Sequence, residues 1–215
     1  MTSPILTESS NVDLVPSAAS VMDILTKTGA YRKGHFVYPN GKHASHYFQM
    51  PLAFRYYDNA RILSVGLSRM FRMEKAISSR LPKVSVISPS PGGIMVAFGV
   101  REALSAEQIY WAEREDGKRQ FRQYMAESEV HPVIIVDDII RSGNAISETV
   151  ALCKEINTEV IGIGAIARFE DSPEEFDGIP VKTLLSFDVN FYETEEEWKI
   201  SRSASEQAEE EKVRF

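Results

Sequence analysis

The chain has 215 residues, of which 43% are hydrophobic and 26% charged, a balance that suits one well-buried α/β domain with modest additions. Its formal net charge of −7 argues against a nucleic-acid-binding surface, and no apolar run approaches the roughly 20 residues that a membrane helix needs. Cys153 is the only cysteine, which rules out an intrachain disulfide and makes the cytoplasm the expected compartment.

Residues 1–17 are polar, lack a basic cluster and an apolar stretch, and read as a flexible arm rather than a signal peptide. Ala19–Thr28 places Val21, Ile24 and Leu25 at helical spacing and stops at Gly29. The aromatic-rich stretch Tyr31–Tyr57, interrupted by Gly34, Pro39, Gly41 and Pro51, predicts short strands and turns, a small lobe lying over a main sheet. Asp58 is expected to cap a helix that carries Leu63, Leu67 and Met70 on one face.

From Val84 onward the rhythm changes. Val84–Ile87, Ile109–Ala112, Val133–Val136, Val160–Ala167 and Val181–Leu185 are short β-branched runs. Several are near-continuous, as strands covered on both faces should be. Ile94–Leu104 and Ala145–Ile156 are helical in pattern, with Cys153 at a core position of the second. Strand, turn and helix in alternation predict a doubly wound parallel sheet, an α/β fold whose ligands bind at the carboxyl ends of the strands. The last residues are acidic: Glu193, Glu195, Glu196, Glu197, Glu206, Glu209, Glu210 and Glu211 predict a solvated helix or tail over 193–215.

The segment with the most chemistry runs from Val133 to Ala145. Four apolar residues predict a buried strand ending in Asp137 and Asp138. Two adjacent carboxylates are expensive to bury without partners, so they are expected to face a ligand, a metal or a cation. The vicinal hydroxyls of a ribose suit them, since a carboxylate accepts a hydrogen bond from each. Arg141-Ser142-Gly143-Asn144-Ala145 then forms a polar turn into a helix, whose N–H groups and dipole make a phosphate site. Diol clamp and phosphate nest together describe a cradle for ribose 5-phosphate. Pro91-Gly92-Gly93 would let backbone approach a ligand closely before a helix begins. Glu113–Arg122, with Arg114, Lys118, Arg119 and Arg122, reads as a solvated loop or, beside a pyrophosphate site, as a cationic lid over the leaving group. His35, His43 and His46 lack a supporting set of acids or cysteines for zinc.

Val133–Ala145 resembles the PRPP-binding motif of type I phosphoribosyltransferases. Thr28–Phe36 and Asn40–Gln49 are similar to the N-terminal hood of the orotate branch, here placed at about 29–57. Ser90–Ala97 resembles that branch's pyrophosphate-side loop, Trp111–Gly117 the start of its catalytic loop, and Leu184–Asp188 its last strand. The likeness extends over about residues 20–192, and a phosphoribosyltransferase domain is expected over 18–192. It implies an Mg²⁺-dependent transfer of the phosphoribosyl group of PRPP to orotate, for pyrimidine biosynthesis, by a homodimer. By the same resemblance Asp137 and Asp138 would clamp the ribose, Ile139 to Ala145 (Ile139, Ile140, Arg141, Ser142, Gly143, Asn144, Ala145) would hold PRPP, and Arg114 and Lys118 would neutralise the leaving group. Arg141, Arg168, Tyr47 and Phe48 would meet orotate, and no direct protein ligand of the metal is singled out. Arg141 stands where threonine is frequent, Glu113-Arg114 where Arg-Lys is common, and Asn40-Gly41 where Ser-Gly is usual. These departures keep two rivals open: transfer to another base, and a non-catalytic PRPP-binding regulator.

Overall fold

The computed structural model describes residues 15–38, 40–121 and 131–201, with the backbone of 212–214. Helix α1 (Ala18–Lys27) begins where the Ser17 hydroxyl accepts the Ser20 N–H, and the chain leaves it through Gly29 at φ 73°. The antiparallel pair β1 (Tyr31–Val37) and β2 (His43–Phe48) follows, then α2 (Pro51–Phe54) and the long α3 (Tyr57–Arg72). Asp58 is not the cap of α3; Tyr56 takes that position without a side-chain hydrogen bond. Asp58 sits in the first turn, where a carboxylate favours the positive end of the helix dipole.

After α4 (Lys75–Ser78) the doubly wound part begins. It comprises β3 (Ser85–Ser88), α5 (Ile94–Leu104), β4 (Gln108–Glu115), β5 (Lys118–Phe121), β6 (Val133–Ile140), α6 (Asn144–Glu155), β7 (Val160–Phe169), β8 (Glu175–Phe176) and β9 (Ile179–Phe187). These strands form one seven-stranded sheet in the order β5-β4-β3-β6-β7-β9-β8, parallel from β4 to β9 and antiparallel at both edges. The near-continuous apolar runs are explained by burial on both faces. Val84, Val86, Ile134 and Val136 join the core under α1, α3 and α5, whereas Ile87, Val133, Ile135 and Cys153 pack in the core under α6. Burial pushes the Cys153 thiol up to about 12, as expected of a packing residue.

Two sequence expectations are corrected here. Strand β6 does not end in Asp137 and Asp138; its ladder with β7 continues through Asp137↔Ala165 to Ile140↔Arg168, so both carboxylates lie within the strand. The charged stretch from Glu113 is a β-hairpin rather than a loop, with Arg114 opposite Arg119 and Glu115 opposite Lys118. Its turn, Asp116-Gly117, has φ of 49° and 78°, the left-handed pair that matches strand twist in two-residue hairpins. Arg122 lies outside the described residues.

A second sheet, ordered β10-β2-β1-β11, adds β10 (Phe191–Tyr192) and β11 (Lys212–Arg214) to the first hairpin. It rests on the carboxyl ends of β7 and β9 through aromatic contacts. Phe48 meets Phe169 and Phe187 at ring-centroid distances of 5.4 and 4.6 Å, and Tyr31 meets Phe187 at 5.2 Å. Within the acidic segment, α7 (Glu195–Ile200) buries Trp198, which stacks on His35 at 3.8 Å and donates to the Ser45 hydroxyl at 3.1 Å. Glu206 and Glu209–Glu211 lie outside the described residues, as do residues 1–14.

Helix α3 approaches β7 closely because Gly162 and Gly164 leave room for Phe71. A Cβ at Gly164 would lie 2.8 Å from the Lys182 carbonyl oxygen and 2.9 Å from the Phe71 ring. Since one of those atoms is backbone of a paired strand, little can yield. Gly164→Ala is therefore expected to lower stability by about 1–3 kcal/mol, the usual cost of overpacking a core, measurable as a reduced Tm in thermal unfolding.

Candidate active site

The site follows from where the two cross-over helices go. Helix α5, after β3, packs on one face of the sheet, and α6, after β6, packs on the other. Their strands are neighbours, so a crevice opens between them at the carboxyl ends. Strand β3 pairs with β6 only as far as Ile87↔Ile135 and ends at Ser88. Beyond that point β6 continues alone on this side, and Asp137 and Asp138 face the turn Ser90–Gly93.

That turn is fitted to the acids. The Ser90 hydroxyl donates to Asp137 Oδ1 at 2.7 Å, and the Asp138 N–H donates to the same oxygen at 3.0 Å. Asp138 Oδ1 accepts the Ile139 N–H at 2.9 Å. A Cβ at Gly92 would stand 2.9 Å from Asp138 Oδ2, and one at Gly93 would stand 2.5 Å from Asp137 Oδ1 and 2.7 Å from Ser88 Oγ. Neither position tolerates a side chain beside the carboxylates. Asp137 is only 4% exposed, so the exposed strand-end location expected for it is corrected to a buried one. Burial, then the charge of Asp138, hold the Asp137 carboxyl well above the usual carboxylate range; burial also raises that of Asp138.

An open cavity of about 270 Å³ is lined by Ser90 and by Asp137 to Ile146. It brings together Asp137 to Ala145, the polar part of the segment singled out in the sequence. Gly143, at φ 78°, turns the chain into α6, and no side chain caps the helix there. The helix N-terminus thus meets the cavity with its N–H groups and dipole, an arrangement suited to a phosphate. Arg141 is exposed and reaches over the Tyr38 ring of the second sheet at 5.7 Å, a cation–π distance.

The other candidates are dispersed around this cavity. Arg168 lies beside Ile140 across the β6–β7 ladder. It is bound to Glu174 at 2.6 Å and to the Ser172 carbonyl at 3.1 Å. Tyr47 is half-buried against Phe36 and Tyr38. Phe48 is 3% exposed and packed among Tyr31, Phe169 and Phe187, a core position rather than a cavity wall. Arg114 and Lys118 stand exposed on the β4–β5 hairpin, outside the cavity lining. Arg114 and Arg119 both bind Glu148 of α6, and Arg119 also donates to the Pro89 carbonyl. Sequence reasoning placed Ser90 in the loop before the helix but missed its contact with Asp137, and it missed Glu148 altogether. Ser90 had a signal, its place directly before Pro91-Gly92-Gly93; Glu148 had none, because only the fold brings the hairpin to α6.

No protein-family model matches the chain. Solved structures share its arrangement. The orotate phosphoribosyltransferase of Aeropyrum pernix superposes with a TM-score of 0.62 at 19% identity, covering 77% of this chain and 93% of that one. The Mycobacterium tuberculosis enzyme of the same name gives a TM-score of 0.59 at 18% identity, covering 80% and 95%. The fold is that of the type I phosphoribosyltransferases, a mostly parallel seven-stranded sheet under a small second sheet. In sequence, the orotate phosphoribosyltransferase of Thermoanaerobacter sp. is 32% identical over 176 residues, which are 82% of this chain and 88% of the relative. The chain belongs to the orotate phosphoribosyltransferase family.

Because Asp137 is raised by burial, its charge opposes folding at neutral pH. The stability associated with a raised carboxyl is fully present below its unfolded pKa and is lost as pH rises through the folded value. Asn at this position keeps an acceptor for Ser90 and removes the charge. Asp137→Asn is thus expected to raise the Tm of the unliganded protein at pH 7, and the gain should disappear on acidification through the carboxylate range. Thermal unfolding across pH would check both; a lower Tm at pH 7 would contradict the assignment.

Proposed function

We propose that the chain transfers the 5-phosphoribosyl group of PRPP to orotate, giving orotidine 5′-monophosphate and pyrophosphate in pyrimidine biosynthesis. The observation that carries this reading is the pairing of Asp137 and Asp138 with the bare helix N-terminus at Gly143–Ala145 in one cavity. A buried acid pair is costly until a ligand satisfies it. The 2′- and 3′-hydroxyls of a ribose supply the donors, and the 5′-phosphate supplies the anion for the turn. Both costs fall together when ribose 5-phosphate is bound.

The bond from the anomeric carbon to the diphosphate oxygen breaks, a ring nitrogen of orotate takes the carbon, and the proton of that nitrogen passes to the departing diphosphate or to water. Positive charge develops on the ribose and negative charge on the departing pyrophosphate. Asp137 and Asp138 would stabilise the first and hold the sugar in register; Arg114 and Lys118 would attract the second. Ser90–Gly93 would admit the diphosphate close to backbone, since Gly92 and Gly93 present no side chain there. For the nitrogen acceptor, Arg141 beside Tyr38 offers a guanidinium and a flat ring to a planar anion. Arg168 would contribute a second cation on exchanging Glu174, an exposed partner.

The residues suit Mg²⁺ as a substrate-borne ion. The cavity's side-chain groups able to ligate a cation, on Asp137, Asp138, Ser90, Ser142 and Asn144, would do so through oxygen, the choice of a hard cation. Among the described residues no group of three or more His, Cys, Asp or Glu is placed to hold a metal. Diphosphate and ribose oxygens would therefore complete the shell, with Asp137 and Asp138 nearby. The ion would add positive charge against the leaving diphosphate. Among the described residues no helix is long and apolar enough to cross a membrane, and with one buried thiol the cytoplasm is the compartment we infer.

A homodimer belongs to the same proposal. Tyr57, Met95 and Phe98 are 76%, 37% and 49% exposed and line an apolar groove of about 580 Å³ between α3 and α5. A patch of this kind favours a protein partner. If a hairpin cation serves the neighbouring site, mixing Arg114→Ala with Asp137→Asn protein should restore activity that each lacks alone. Monomeric, fully active protein in sedimentation would overturn this part.

Base choice is tested separately. Pyrophosphate release should require PRPP, Mg²⁺ and orotate, with uracil a poor substitute because it lacks the carboxylate. Arg141→Thr should raise the orotate KM about tenfold, the worth of one hydrogen bond to a charged partner, while the PRPP KM stays nearly unchanged. Release with another base alone would reassign the acceptor, and PRPP binding without turnover would favour a regulator.

A further inference from the structure

Glu148 occupies the second turn of α6, four residues after Asn144, and faces the β4–β5 hairpin. Its two carboxylate oxygens are divided between two arginines. Oε2 accepts from Arg119 Nε at 2.8 Å, and Oε1 accepts from Arg114. The two pairs are unlike. The Arg119 side chain is 9% exposed and also donates to the Pro89 carbonyl, next to the Ser90–Gly93 turn. The Arg114 side chain is 52% exposed, and its other hydrogen bond is a 3.4 Å contact to Gly117 in its own hairpin turn.

We propose that Glu148 is a positioning residue that anchors the hairpin through Arg119 and holds Arg114 in reserve, releasing Arg114 to the diphosphate of PRPP. The inference rests on the phosphoribosyl reading above and deepens it. Arg119 is tied at once to α6, which follows the phosphate turn, and to the backbone that precedes the diphosphate turn. It therefore fixes the hairpin against both phosphate-binding elements. Among the described residues Arg114 has no such second tie. An exposed ion pair contributes little, and a diphosphate carries more charge than one carboxylate, so the exchange favours the ligand once it arrives. Although partial burial opposes it, hydrogen bonds from Arg119 and Arg114 keep the Glu148 carboxyl below the usual range, so it is ionised and competing at neutral pH.

A carboxylate that competes with the ligand for Arg114 weakens PRPP binding, and its neutralisation should strengthen it. The experiment is calorimetric titration of the full chain with PRPP and Mg²⁺, without orotate, at low ionic strength. Glu148 is 37% exposed, so Glu148→Gln keeps the fold and an acceptor for Arg119, which unchanged Tm would confirm. Its Kd for PRPP should fall about two- to fivefold, the range set by an exposed ion pair. The gain should vanish in the Arg114→Ala background and be absent in Glu148→Asp, which retains the charge. Parent protein that binds PRPP while Glu148→Gln binds equally or more weakly would overturn the exchange alone. Parent protein that does not bind PRPP would overturn the phosphoribosyl reading, and the exchange with it.

Discussion

The structure is organised around a carboxylate held out of water. Asp137 sits on a central parallel strand, 4% exposed, with the Ser90 hydroxyl and the Asp138 N–H directed at one of its oxygens. Such a group weakens the unliganded fold and becomes favourable when a ligand donates to it. Several other features are consequences of accommodating it. Strand β3 stops early so that the acids have an open side. Gly92 and Gly93 carry no side chain because a Cβ would collide with the two carboxylates. The cross-over helices part to opposite faces of the sheet at the same point, and the crevice between them is the candidate binding site.

The rest of the molecule supports that crevice from two sides. On one side the aromatic contacts of Tyr31 and Phe48 with Phe169 and Phe187 seat the smaller sheet on the ends of β7 and β9. This brings Tyr38 under the Arg141 guanidinium. On the other side Arg119 and Glu148 fasten the β4–β5 hairpin beside the Ser90–Gly93 turn. The first attachment is part of the apolar core, and the second is ionic. Both fix the geometry of a few polar groups around the cavity, where positioning matters more than bulk stability.

Arg141 and Arg168 illustrate how position along a strand differs from position in space. They are neighbours across the β6–β7 ends, since Ile140 pairs with Arg168. Yet one is exposed over a tyrosine ring, and the other is folded back onto Glu174 and the 169–172 backbone. An anionic base that collected both would have to displace Glu174, which is 80% exposed and therefore loosely held.

Sequence alone determined the parallel α/β sheet, because runs buried on both faces must be continuously apolar, as Val133–Val136 and Val160–Ala167 are. It also determined that Asp137 to Ala145 would share one cavity, because these residues are adjacent in the chain and their spacing is fixed by one strand and one helix start. Even the hairpin was legible in part, as Asp116-Gly117 is a turn signal that the surrounding charges obscured. What the tertiary structure alone decided are the relations between distant segments. The extension of β6 past Asp138 depends on its ladder with β7, and the burial of Asp137 depends on a glycine turn 45 residues earlier in the chain. Phe48 belongs to the core because β7 and β9 end beneath it. Glu148 meets Arg114 and Arg119 only because α6 crosses the face of the sheet on which the hairpin folds. Local pattern encodes period and turn chemistry; which side chains share a water-poor space is settled by packing.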